Sequence, residues 1–313
     1  MRRAAVVSPH SGVLTIAVVD TTDGLSAPSP PSRLPAALAM SCHPGPVVAV
    51  TVLVTALTVG SGPAGPRWIL VPAAVLAGQL SVGWCNDAYD APRDVAASRC
   101  GKPVARGAVS SRSVWGAALS ALGLCVVLSA TCGTAAGTAH LLGVLGAWAY
   151  NLRLKATVLS WLPYVTGFGS LPFLVALSLP GHPWPAWWAV VAAALLGLAA
   201  HLGDVLPDIE EDLRAGVRGL PQRLGPARTR LLLPLPLVAA TAVLLLGPAV
   251  PGGWAAVLLG PVALLAAAVC ARAAKGFDGQ ETGRRRKAAL AGTVAVAAVD
   301  VALLVARGAD LTR

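Results

Sequence analysis

The sequence predicts an all-α integral membrane protein, a bundle of about nine transmembrane helices built from two related halves. Three observations predict it. Apolar residues fill 56% of the 313 positions and charged residues only 12%, with a mean hydropathy of +0.70; that is about half the charge of a soluble chain. The apolar residues gather into runs that approach the ~20 positions a helix needs to cross ~30 Å of hydrocarbon. Lys and Arg, by contrast, are confined almost wholly to alternate connections between those runs.

In order, the apolar runs are 46–60, 68–85, 114–130, 134–150, 158–179, 184–202, 231–250, 253–271 and 288–306. None alternates apolar and polar positions as the strands of a membrane barrel must. Helices are the other backbone that satisfies its own hydrogen bonds in lipid. The 25 prolines and 33 glycines agree with this, since both are commoner in membrane helices than in soluble ones.

A formal net charge of +10 would by itself suggest nucleic-acid binding. Its distribution argues otherwise: 21 of the 24 Lys and Arg lie in the first 35 residues or in the connections after runs two, four, six and eight. The positive-inside rule puts that face in the cytoplasm. The expected topology is multi-pass, in the cell membrane if the chain is prokaryotic, with the N-terminus inside and the C-terminus outside. The partners expected from composition are membrane lipid and no nucleic acid.

Residues 1–35 read as a disordered cytoplasmic tail preceding one transmembrane domain, 36–313. The apolar run 13–19 stops at Asp20, too short to span, and no cleavage site follows it. Cys42, Cys85, Cys100, Cys125, Cys132 and Cys270 form no C-x-x-C pair and read as small buried hydrophobes.

The feature that carries chemistry is a pair of acidic segments. Asn86, Asp87, Asp90 and Asp94 close the second run, and Asp204, Asp208, Glu210, Glu211 and Asp212 close the sixth. Carboxylates at the mouth of a membrane span are costly and point to function. Laid without a gap over residues 204–225, residues 86–107 match at Asp90/Asp208, Asp94/Asp212, Ala97/Ala215, Gly101/Gly219, Pro103/Pro221 and Gly107/Gly225. Two halves, each giving one acidic helix end to a shared site, explain this economically.

Positions i, i+4 and i+8 form one stripe on a helix, so Asn86, Asp90 and Asp94 can face one cavity, as can Asp204, Asp208 and Asp212. Pro92 and Pro207 are each expected to mark a helix end or kink. Oxygen-only ligands select hard cations, and Mg²⁺ takes carboxylates together with phosphate oxygens and water. Arg93, Arg99, Lys102, Arg106, Arg214, Arg218 and Arg223 lie just beyond. Carboxylates for Mg²⁺ ringed by cations describe a diphosphate site. Solvated helix ends and a proton relay are the other readings; relays usually sit deeper in the span.

The segment NDAYDAPRD (86–94) resembles the N-D-x-x-D-x-x-x-D motif of the UbiA superfamily of intramembrane aromatic prenyltransferases. DVLPDIEEDLRAGVRGLPQRLG (204–225) is similar to its second motif, and YNLRLK (150–155) to the Tyr and Lys that end its fourth helix. The resemblance implies that Asn86, Asp90, Asp94, Asp204, Asp208 and Asp212 hold Mg²⁺ on a prenyl diphosphate. Asp90, Asp94, Asp208 and Asp212 would be the catalytic carboxylates, with Asp87 adjoining them. Lys155, Arg99, Lys102 and Arg218 would clamp the leaving diphosphate. The implied reaction ionises the prenyl diphosphate and transfers the prenyl group to an aromatic or other lipophilic acceptor. Trp84, Tyr89, Tyr150, Trp161, Tyr164 and Phe168 are candidates to shield the allylic cation. Many family members carry Arg-Pro near the start of the first helix, where this chain has SCHPGP (41–46) with His43 before Pro44. A terpene cyclase on the same scaffold and a non-catalytic carrier or accessory protein for a prenylated metabolite remain as alternatives.

Overall fold

The computed structural model describes residues 34–62, 65–96, 101–247, 261 and 283–312; among the described residues there are helices and no strands. In chain order the α-helices are α1 (Leu34–Ser41), α2 (Pro44–Gly60), α3 (Arg67–Ala96), α4 (Ser111–Thr131), α5 (Thr134–Leu152), α6 (Leu162–Ser178), α7 (Trp187–Val205), α8 (Ile209–Arg214), α9 (Leu220–Leu232), α10 (Pro234–Leu246) and α11 (Gly283–Ala306). Short 3₁₀ turns occupy Leu154–Ala156, Leu206–Asp208 and Gly308–Asp310.

Among the described residues three stretches, Arg67–Ala96, Ser111–Thr131 and Trp187–Arg214, are long and apolar enough to cross a membrane. The number rises to five if each of two bent pairs is one span: α1–α2, bent by 69°, and α9–α10, bent by 47°. Nearly all of the expected run 253–271 and of the expected tail lies outside the described residues, although α1 already begins at Leu34.

Large apolar side chains divide between two surroundings. Leu57, Leu174, Trp188, Leu237, Leu303 and Leu304 are buried in one cluster drawn from α2, α6, α7, α10 and α11. Val52, Leu119, Val127, Leu142, Leu145 and Trp187 face outward, which costs nothing against lipid. Helices separated only by lipid gain little from apolar burial and associate through close packing of small residues. Gly197 serves this way: a Cβ there would run into the backbone carbonyl of Tyr164 in α6.

The first acidic segment differs from expectation in one respect. Pro92 neither ends nor breaks α3, which continues to Ala96 and so carries Asp94 on the same helix as Asp87 and Asp90. Proline at 92 removes the donor that would reach the carbonyl of Ala88. Ser111, at the start of α4, donates its hydroxyl to that carbonyl at 3.3 Å, the kind of replacement that lets membrane helices tolerate proline.

The second segment breaks where the first does not. α7 stops at Val205, the 3₁₀ turn opens with Pro207 at its start, and α8 resumes at Ile209. In the ungapped alignment Pro207 falls on Tyr89 and Pro92 on Glu210. The prolines are out of register between the copies, so a 3₁₀ turn interrupts the second acidic frame and not the first. The single stripe expected for Asp204, Asp208 and Asp212 is therefore spread over α7, the 3₁₀ turn and α8.

Candidate active site

The last turns of α3 place Asp87, Asp90 and Asp94 inside the protein, at 2%, 5% and 1% exposure. Carboxylates that deep must be paired, and cations meet them from other elements. Asp87 and Asp94 are seven residues apart, close to two turns, and share Lys102: its Nζ lies 3.2 Å from Asp87 Oδ1 and 3.0 Å from Asp94 Oδ2. Asp90 accepts from Arg93 Nη2 at 2.9 Å and from the ammonium of Lys155. The second oxygen of Asp87, Oδ2, is buried with no hydrogen-bond partner among the described residues.

Lys155 is held in place by α5. Near its end, Trp148 Nε1 donates to Ser81 Oγ at 3.2 Å and Asn151 Nδ2 to the carbonyl of Val82 at 2.9 Å, fastening α5 to α3. The following turn then delivers Lys155 to Asp90, with its Nζ 5.3 Å from the centre of the Tyr89 ring. Burial pushes the Lys155 ammonium below the ordinary lysine range, and the Asp90 charge opposes that shift.

The second segment faces the same region from α6 to α9. Tyr164, in α6, donates its hydroxyl to Asp204 Oδ2 at 2.7 Å. Tyr164 packs edge-on to Tyr150 at 5.2 Å between centroids, and its ring lies 4.9 Å from that of His201. Asp212 accepts from Gln222 Nε2 at 2.9 Å. Asp208 is exposed at the end of the 3₁₀ turn. Ser160 ties the segment down, because the backbone N–H of Leu220 donates to Ser160 Oγ at 2.9 Å and that hydroxyl lies 3.1 Å from His201 Nε2. Gly219 sits so close to the turn bearing Lys155 that a Cβ would come within 2.5 Å of the Lys155 carbonyl.

The two segments share neighbours. Tyr150 lies within electrostatic reach of Asp90, Asp204 and Asp212, and His43 within reach of Asp87, Asp90 and Asp204. Asn86 is half-buried beside His43, its Nδ2 3.3 Å from His43 Nε2. Arg218 is exposed, with its backbone carbonyl accepting from Arg223 Nε at 2.8 Å. Arg99 lies outside the described residues. Among the described residues no three His, Cys, Asp or Glu side chains converge tightly enough to hold a metal ion as they stand.

Several participants had no readable signal. Gln222, Asn151 and Ser160 stand in polar or apolar stretches with nothing in their spacing to distinguish them. Asp87 was visible, but the i, i+4 stripe passes it by; a seven-residue spacing to Asp94 is what identifies it.

The chain matches the model of the UbiA prenyltransferase family over residues 47–296. It is 34% identical over 199 residues to the bacteriochlorophyll synthase 33 kDa chain of Cereibacter sphaeroides, covering 54% of this chain and 59% of that one. It is 31% identical over 160 residues to the digeranylgeranylglyceryl phosphate synthase of Methanopyrus kandleri, covering 50% and 56%. The matched regions thus span somewhat over half of these curated relatives. A UbiA homologue of Archaeoglobus fulgidus, solved bound to GPP and Mg²⁺, superposes with a TM-score of 0.64 at 17% identity, over 86% of this chain and 98% of that one. That likeness establishes a common fold. With a family match over most of its length and the family's all-helical architecture, this chain belongs to the UbiA prenyltransferase family.

Proposed function

We propose that the protein is an Mg²⁺-dependent intramembrane prenyltransferase, which ionises a prenyl diphosphate and transfers the prenyl group to an aromatic or other lipophilic acceptor. The observation that carries this is that the end of α5 and the turn after it touch both acidic segments: Lys155 pairs with Asp90, and Tyr150 packs on Tyr164, whose hydroxyl holds Asp204 at 2.7 Å. The names of the two curated relatives, both synthases, and the GPP and Mg²⁺ bound by the Archaeoglobus protein support the same reading.

The donor set fits a hard cation. It is made of oxygen atoms, and it includes a buried Asp87 oxygen with no hydrogen-bond partner among the described residues. Asn86, Asp90 and Asp94 from one segment, and Asp204, Asp208 and Asp212 from the other, would hold the metal. Bound there, Mg²⁺ would neutralise charge building on the departing diphosphate.

The chain's own residues do the rest. Lys155 and Lys102 stand among the carboxylates as ready-made donors for diphosphate oxygens, with Arg99 and Arg218 as further candidates. Both ammoniums are largely withdrawn from water, their side chains only 11% and 20% exposed, which strengthens them electrostatically. Tyr150 and Tyr164 present ring faces and edges beside Asp204, suited to an allylic cation. Tyr164 also keeps Asp204 oriented through its hydroxyl. The prenyl chain would lie along apolar helix faces.

The same reading extends to organisation. Residues 36–313 would form one transmembrane domain of nine spans in two related halves, behind a cytoplasmic tail, with the site on the cytoplasmic side. Its basic connections support that orientation.

The test supplies C10 to C20 prenyl diphosphates to membranes containing the protein, with and without Mg²⁺ and acceptor, following diphosphate release and extracting lipid products. Metal-dependent release that needs an acceptor is expected. Cyclised hydrocarbon from the diphosphate alone would replace transferase by cyclase, and no release at any chain length would leave a carrier. Asp90→Ala or Asp208→Ala should abolish turnover while the protein still inserts; retained turnover would overturn the metal assignment.

A further inference from the structure

His43 stands in the left-handed backbone region, φ 57° and ψ 68°, where non-glycine residues are uncommon. It occupies the N-cap position of α2, yet its side chain makes no capping bond. The ring turns instead toward α3, where Nε2 lies 3.3 Å from Asn86 Nδ2. Such strain persists only where surrounding structure enforces it, and it concentrates at functional sites.

The enforcement is visible at Gly83 and Trp84, just before Asn86 on α3. Trp84 Nε1 donates to the carbonyl of Leu38 in α1 at 2.8 Å. At Gly83 the carbonyl of Cys42 occupies the place a Cβ would take. Contacts of Gly83 with Cys42, Trp84 with Leu38 and Asn86 with His43 thus hold the α1–α2 corner against α3.

An asparagine can ligate a hard cation only through its carbonyl oxygen, and its NH₂ group can only donate. With Nδ2 given to His43 Nε2, the oxygen is the atom left to face the carboxylate frame. From the structure we infer that His43 is a positioning residue for the metal site: it accepts the Asn86 amide N–H and so fixes the amide with Oδ1 toward Mg²⁺. This inference rests on the diphosphate-site reading above. It assigns to the α1–α2 corner a specific part in metal affinity, exerted through Asn86 rather than by contact with substrate.

The experiment compares the purified full-length protein with His43→Asn and His43→Gln, each melted at rising Mg²⁺ with fixed inorganic diphosphate. Asparagine tolerates left-handed backbone well, so His43→Asn should fold as well as the parent, but its shorter side chain withdraws the acceptor from Asn86. Glutamine can return an acceptor oxygen to about the place of Nε2. Loss of a group that orients a ligand usually costs ten-fold or more in metal affinity. His43→Asn should therefore need about ten-fold more Mg²⁺ for half-maximal stabilisation, with an unchanged metal-free melting temperature, and His43→Gln should stay within about three-fold. In an Asn86→Leu background, His43→Asn should have no further effect. An unchanged Mg²⁺ midpoint in His43→Asn, equal losses in both variants, or additive losses with Asn86→Leu would overturn the inference. A parent protein that shows no Mg²⁺-dependent stabilisation would instead overturn the underlying diphosphate-site reading.

Discussion

Lys155, on the turn after α5, is bonded through its ammonium to Asp90 in α3, 65 positions earlier in the chain. The pair joins the connection between α5 and α6 to the acidic end of α3, and both partners are nearly out of water. Removing one member of such a pair costs about 3–5 kcal/mol, because the other charge stays buried alone. Asp90→Asn should accordingly lower the melting temperature as well as abolish diphosphate release. The double variant Asp90→Asn/Lys155→Met should regain most of the stability and none of the release. A double variant no more stable than Asp90→Asn would show that the pair does not carry this energy.

Gln222 donates to Asp212 at 2.9 Å from the start of α9, and in a site that binds metal its task would be to aim that carboxylate. Gln222→Leu should reduce kcat about ten-fold, as loss of orienting partners does elsewhere, with little change in melting temperature. Gln222→Glu should be worse, since it sets a second negative charge against Asp212. Steady-state kinetics at saturating Mg²⁺ would decide, and equal activity in all three proteins would remove Gln222 from the site.

Gly83 is the contact that lets the α1–α2 corner lie on α3, because a Cβ there would collide with the Cys42 carbonyl. Backbone cannot swing aside as a flexible side chain can. Gly83→Ala should destabilise by about 1–3 kcal/mol, the usual cost of overpacking, and raise the Mg²⁺ requirement by shifting the corner. Thermal melts with and without Mg²⁺ and inorganic diphosphate would read both effects.

Asp300 in α11 is fully buried and accepts from Thr241 Oγ1 in α10 at 2.6 Å, while its Oδ2 has no hydrogen-bond partner among the described residues. Interhelical bonds of this kind contribute about 0.6 kcal/mol in membrane proteins, and up to about 1.7. Thr241→Val should destabilise by that order and leave turnover per folded molecule unchanged. A loss of turnover out of proportion to the loss of stability would mean that α10 and α11 take part in the chemistry.

The sequence by itself determined the helical class, the positions of most of the described helices to within a few residues and the two acidic segments, because each is written in local composition. Apolar runs of membrane length without alternation leave helix for the backbone, and two matched sets of carboxylates closing such runs point to function. What only the tertiary structure decided was how the segments are used. Pro92 looked like a helix end, yet Ser111, 19 positions on, supplies the hydrogen bond that its ring removes. Pro207 looked alike and did break its helix. Asp87 became a member of the cluster only when Lys102 was seen bridging it to Asp94. His43, Asn151, Ser160 and Gln222 acquired their places through partners 10 to 69 positions away. Hydrogen bonds and ion pairs at such separations depend on how helices pack, and packing between apolar faces leaves no periodic trace in the sequence.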